Sequence, residues 1–191
     1  MPYRQVPGFM KQSRVRVGLA ARALEFLILG ASRSGEVRLM EWSEINWEDA
    51  FWTVPSNRMK AGRAHRVPLS EPMLAILKDV QQMGLCDRFV FVGPNKHQPF
   101  SDMALSAVLK RMNVEGCTVH GFRSSFRDWA GDATDVPREV AEAALAHVVG
   151  DATERAYRRG DAFAKRRALM DFWAEYCTAG WDSGVTAALA Y

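Results

Sequence analysis

Cysteine is scarce: Cys86, Cys117 and Cys177 stand far apart in a chain of 191 residues. No Cys-x-x-Cys pair occurs, which argues against a zinc ribbon or a disulfide framework and suits a reducing cytoplasm. Long apolar runs are missing too. None approaches the length of a membrane span, and the opening MPYRQVPGFMKQ lacks the apolar core of a signal peptide. A membrane partner is therefore not expected. Neither sign of charge dominates, since 25 Lys/Arg stand against 22 Asp/Glu for a net charge of +3. Internal repeats and low-complexity segments are absent.

What is present is a large apolar fraction, 48%, enough to bury one core at this length. The charge is also unevenly placed. Residues 1–68 carry 11 Lys/Arg against 6 Asp/Glu, whereas residues 69–191 carry 14 against 16. A basic first third can face an anionic partner such as nucleic acid, or can be an ordinary solvated surface.

Periodicity divides the chain. Residues 1–16, with Pro2 and Pro7, read as a linker segment. VGLAARALEFLILG at 17–30 has helical spacing with extra apolar positions, the pattern of a buried helix. Ser32 or Ser34 is placed to cap a short helix through Met40. FWTVP at 51–55 and HRVPL at 65–69 are rich in β-formers and flank a Gly62-containing turn, which predicts a hairpin or small antiparallel sheet. Runs 70–83 and 101–112 read as helices, with FVFVG at 89–93 as another short strand. Helical patterns return after residue 119. HGFRSSFRDWAGD is expected to break at Gly131 and Asp132, and PREVAEAALAH has a proline suited to a first turn. ATERAYRR is short, and AKRRALMDFWAEYC places Leu169, Phe172, Trp173 and Tyr176 on one face. The expected fold class is mainly α with a small antiparallel β-sheet (α+β).

Several residues carry two readings each. His120 and Arg123 sit at i and i+3, where a helix presents both to one phosphate or to bulk solvent. Arg33 follows the buried helix and needs an anion, either Glu36 or a substrate phosphate. Lys60 lies in the hairpin turn, where lysines are ordinarily solvated. His147 ends the PREVAEAALAH helix, where the C-terminal dipole favours an imidazolium. Tyr157 lies ten residues later beside Arg155, Arg158 and Arg159.

Taken together, ILGASRSGEVRLMEWSEI at 28–45, WTVPSNRMKAGRAHRVPLS at 52–70, VHGFRSSFRDWAGD at 119–132 and ALAHVVGDATERAYRRGD at 144–161 give the sequence its identity. It resembles the tyrosine recombinase family over almost its whole length, and within it the integrases of satellite phages and genomic islands. The resemblance implies the tyrosine recombinase catalytic-domain fold. The family's six active-site positions fall, in order, on Arg33, Lys60, His120, Arg123, His147 and Tyr157, all of residue types that the family uses.

The implied reaction is DNA cleavage and rejoining without a metal or other cofactor. Tyr157 attacks a phosphodiester to give a 3′-phosphotyrosyl link and a free 5′-hydroxyl, and a second 5′-hydroxyl reverses the step. Arg33, Arg123 and His147 are the implied phosphate-binding groups, meeting the negative charge of the transition state. Lys60 is the implied general acid for the leaving oxygen. A tyrosine hydroxyl has a pKa near ~10, and His120 is the implied aid to its deprotonation. Relaxation of DNA in the manner of a type IB topoisomerase, and a non-catalytic DNA-binding accessory role, are the competing readings.

The catalytic domain is expected over 17–177, with 178–191 as a tail available for exchange between protomers. The DNA-binding domains that precede such a domain in full-length integrases have no room in residues 1–16. The expected partners are double-stranded attachment sites, a homotetramer in the synaptic complex with a monomer in its absence, and DNA-bending or excision accessory proteins. The expected location is the bacterial cytoplasm, at the nucleoid when bound, with a prophage or genomic island as the mobile element.

Overall fold

The computed structural model describes residues 1–95, 97–147 and 162–180. Helix α2 (Leu19–Leu29) is the axis of the fold, with every residue from Ala21 to Leu29 buried. Its all-round apolar pattern demands neighbours on every side. These are α1 (Val6–Arg14), α3 (Ser34–Arg38), α4 (Glu71–Gln82), α5 (Ala104–Arg111) and the last described helix, α8 (Phe163–Thr178). Helices α6 (Gly121–Ala133) and α7 (Arg138–Ala144) complete the helical part, with α7 packed between α6 and α8. Among the described residues no helix is long and apolar enough to cross a membrane.

The sheet inserted between α3 and α4 has three antiparallel strands in the order β1 (Ile45–Asn46), β2 (Phe51–Val54), β3 (His65–Pro68). Trp52 pairs with Val67 and Val54 with His65. Alternation sends Trp52 and Val54 inward. The Trp52 ring meets Phe26 edge-on at 5.9 Å, so the sheet is docked on α2. Helix α8 docks on the same axis, where Trp173 is fully buried and donates its indole N–H to the Ile28 carbonyl at 2.8 Å. Truncating such a side chain to alanine costs about 3–5 kcal/mol. Arg166, also buried, donates to the Arg66 carbonyl at 2.7 Å and ties α8 to β3.

Five local expectations are corrected. Residues 1–16 are not merely a linker, because α1 buries Val6, Phe9 and Met10; Pro7 sits in its first turn, where a missing N–H is harmless. The cap of α3 is Arg33 rather than Ser32 or Ser34. FVFVG forms no strand of the sheet, only the isolated bridges Glu41–Phe89 and Val92–Pro99. Helix α6 runs through Gly131 to Ala133, since six buried side chains on its inner face outweigh one glycine. Phe172 is 55% exposed although Leu169 and Trp173 beside it are buried. ATERAYRR and residues 181–191 of the tail lie outside the described residues.

Candidate active site

Two helices end in the same way, and their ends build the site. At the end of α2, Ala31 adopts a left-handed conformation (φ 46°); Ala31 N–H bonds the Ile28 carbonyl and Ser32 N–H the Leu27 carbonyl. At the end of α7, Ala146 does the same (φ 51°); Ala146 N–H bonds Ala143 and His147 N–H bonds Glu142. Both are Schellman turns, which reverse the chain and satisfy two carbonyls of the last helical turn, leaving those of Ala31 and Leu145 to another donor. The first turn delivers Arg33 and the second delivers His147.

Arg123, on the first turn of α6, is 4% exposed and joins the two turns. Its Nη1 donates to the Ala31 carbonyl and its Nη2 to the Leu145 carbonyl. A guanidinium between the negative ends of two helices is favourably placed. Nη2 also lies 3.3 Å from His147 Nε2. No carboxylate pairs with Arg123 among the described residues, and its buried Nε has no partner there. Burial and the neighbouring Arg33 push its pKa down to about 10, against Glu36 and Glu142, so it stays charged at neutral pH.

Arg33 is held by Glu36. Its Nη1 donates to one carboxylate oxygen at 2.7 Å, and its backbone N–H donates to the other at 2.9 Å, which also caps α3. The side chain of Arg33 remains 26% exposed. His120 is exposed at the N-cap of α6. Partial burial first, then Arg123, Arg33 and His147, lower its pKa, so the ring is neutral and able to accept a proton.

The structure thus gathers Arg33, His120, Arg123 and His147. Lys60 is not joined to them: it is exposed in the β2–β3 connection and makes no contact with the cluster among the described residues. Tyr157 lies outside the described residues. The expected dipole setting of His147 is also revised. It stands two residues beyond the helix C-cap, with Nδ1 2.6 Å from a Glu142 carboxylate oxygen.

Two members of the cluster were not singled out from sequence. Glu142 is one. The other is His65, whose Nε2–H donates to the Ala144 carbonyl at 3.3 Å and so ties β3 to the end of α7. Burial, reinforced by Arg166 and Arg123, pushes the His65 pKa down to about 4, so it is a neutral ring. A groove lined by Ser34, Ser106, Lys110, Thr118 and His120 opens beside the cluster. Chemically, the arrangement offers fixed cationic donors and a neutral imidazole to an anion such as a phosphodiester.

The phage integrase family model matches residues 4–162. The chain belongs to the phage integrase family. It is 36% identical over 186 residues to prophage integrase IntA of Escherichia coli K12, covering 94% of this chain and 44% of that protein. It is 29% identical over 187 residues to the integrase of Shigella phage Sf6, covering 92% and 47%. With the integrase of Enterobacteria phage P4 it shares 24% identity over 195 residues, covering 92% and 44%. The chain therefore spans less than half the length of these relatives. No solved structure matches it. Family membership fits the observed architecture, mostly helical with a three-stranded antiparallel sheet.

Proposed function

We propose that this chain is the catalytic domain of a site-specific DNA recombinase that integrates or excises a mobile element through a 3′-phosphotyrosyl intermediate. The observation that carries the reading is Arg123: a buried cation solvated by helix-end carbonyls, with no carboxylate partner among the described residues, beside Arg33, His120 and His147. Burying a cation in that way is costly unless an anion completes the site.

In this reading Arg33 and Arg123 clamp the non-bridging oxygens of the scissile phosphate, and His147 donates a further hydrogen bond from Nε2. Removing one such donor raises the barrier by about 3 kcal/mol. His120 takes the proton of the Tyr157 hydroxyl as its oxygen attacks phosphorus. The P–O5′ bond breaks, and the departing 5′-oxygen receives a proton from Lys60 once the hairpin closes on DNA. In the reverse step a 5′-hydroxyl attacks the phosphotyrosine and Tyr157 leaves. The phosphodiester bond energy is kept in the covalent link, so the reading needs no nucleotide cofactor, and Arg33 and Arg123 supply the positive charge that a metal would otherwise bring.

The roles of the whole protein follow the same reading. The domain acts with DNA-binding regions of a longer protein, on double-stranded attachment sites, as a tetramer in synapsis and a monomer without DNA. Residues 178–191 supply the exchange between protomers. DNA-bending and excision factors assist, and the reaction takes place in the bacterial cytoplasm at the nucleoid.

The test is covalent capture on an attachment-site duplex nicked beside the scissile phosphate, in EDTA, quenched with detergent. The expected result is a protein–DNA adduct that Tyr157→Phe abolishes. An adduct that survives Tyr157→Phe, or one that requires magnesium, would contradict the reading. Strand exchange with a second site, rather than relaxation alone, separates a recombinase from a topoisomerase.

A further inference from the structure

The buried carboxylate of Glu142 has work to do that neither the packing of α7 nor the phosphate clamp accounts for. The side chain is 8% exposed and spends both oxygens on separate partners. Oε2 lies 2.6 Å from His147 Nδ1, and Oε1 accepts from Arg127 Nε at 2.7 Å. The Glu142 backbone carbonyl accepts the His147 N–H at 2.9 Å. One residue thus holds the histidine by both main chain and side chain. It does so across the left-handed Ala146, without which positions five apart on a helix would not face each other.

A carboxylate can only accept, so Nδ1 must carry the proton. Nε2 is then directed at Arg123 Nη2, 3.3 Å away, and is an acceptor in the neutral ring. Protonating Nε2 would create a charge that Glu142 already faces. Burial alone would raise the Glu142 pKa, but hydrogen bonds from Arg127 and His147 outweigh it and hold the carboxyl below its ordinary range, so the anion persists at neutral pH. Arg127 lies one turn beyond Arg123 on α6 and is 47% exposed; its tie to Glu142 keeps α7 registered against α6.

We propose that Glu142 is a positioning residue of the phosphate site: it holds the Nδ1–H of His147, so that Nε2 faces Arg123 in the free ring and, in the imidazolium whose charge Glu142 balances, donates to the anion held by Arg123. The inference rests on the reading of His147 as a phosphate ligand, but its core, control of the tautomer, is measurable without DNA. The chain has only four histidines, so their ring nitrogens are separable by 15N correlation spectroscopy. The His147 ring should carry its proton on Nδ1 in the wild type and in Glu142→Gln, whose amide oxygen can still accept. Glu142→Ala should shift it toward the Nε2–H form that free histidine favours. A His147 tautomer that Glu142→Ala leaves unchanged would overturn the proposal.

The second arm is a double-mutant cycle on the rate of adduct formation. Glu142→Ala should slow the reaction on the order of 10–100-fold, by analogy with carboxylates that orient metal-bound imidazoles. In a His147→Ala background it should have almost no further effect. An equal loss in both backgrounds would overturn the proposal and leave Glu142 a purely structural residue. If His147→Ala alone does not slow the adduct while the tautomer still follows Glu142, the phosphate role of His147 falls and the positioning by Glu142 stands.

Discussion

Arg22 and Arg123 are both buried arginines that cap helix C-termini, and they differ in how their charge is met. Arg22 donates to the carbonyls of Ser13, Arg14 and Arg16 at the end of α1, and it sits 2.7 Å from Glu25, which is fully buried. Arg123 donates to the carbonyls of Ala31 and Leu145, and no carboxylate touches it among the described residues. Burial lowers the pKa of both. The same guanidinium device therefore serves two ends. Where the protein supplies the counter-charge, the arginine is structural; where only dipoles solvate it, the site is open to an anion.

Replacing Arg22 should have the largest effect on stability. Arg22→Met leaves Glu25 buried with Arg14, 3.5 Å away, as its remaining cation, and at pH well above 7, where Glu25 is ionised, should cost about 3–5 kcal/mol, much of the 5–15 kcal/mol of a typical domain. Replacing both members by apolar residues of similar volume should recover most of that loss. Urea unfolding of the two variants checks it. Equal losses in the single and double variants would show that the carbonyl caps, not the charge pair, stabilise the α1–α2 corner.

Acidification separates the two regions next. Burial pushes the Glu25 pKa up to about 7, against Arg22 and Arg14. The folded state therefore favours the neutral acid, and that contribution to stability is lost as pH rises toward 7. His65 at the site has the opposite sign: pushed down to about 4, it stabilises the fold at neutral pH and loses that contribution as pH falls toward 4. Between about pH 4.5 and 6.5 the two slopes oppose each other. Glu25→Gln removes one of them, so its urea midpoint should fall with acid more steeply than that of the wild type. Parallel curves would contradict the assignment.

A smaller effect concerns the turns themselves. Ala146 holds a left-handed conformation that costs a residue with a Cβ roughly 1 kcal/mol. Ala146→Gly should raise the unfolding free energy by up to about 1 kcal/mol without disturbing the bond from His147 to Glu142. A loss of stability would mean that the entropy of the unfolded glycine chain dominates.

Much of this was legible in the residues. The apolar run of α2, the alternation of β2 and β3 and the amphipathic α4 and α5 gave the α+β class. Arg33, His120, Arg123 and His147 were singled out by order and type, and the fold brings these four side chains together. Glu142 and His65 were hidden for definable reasons. Glu142 reaches His147 only through a Schellman turn, and the alanine at its left-handed position gives no glycine signal. His65 gave no signal of its own because its partner carbonyl lies 79 positions away. FVFVG failed as a strand because β-propensity measures fit to a sheet edge, and the edge offered no continuous partner.

The most direct test of the comparison is single-turnover adduct formation by Arg123→Met and Arg22→Met on the nicked duplex, each rate scaled to the folded fraction. The account predicts a loss of about 10²–10³-fold for Arg123→Met and a rate near wild type for folded Arg22→Met. Adduct formation that survives Arg123→Met would contradict it, because the buried, carboxylate-free guanidinium would then have no anion to meet.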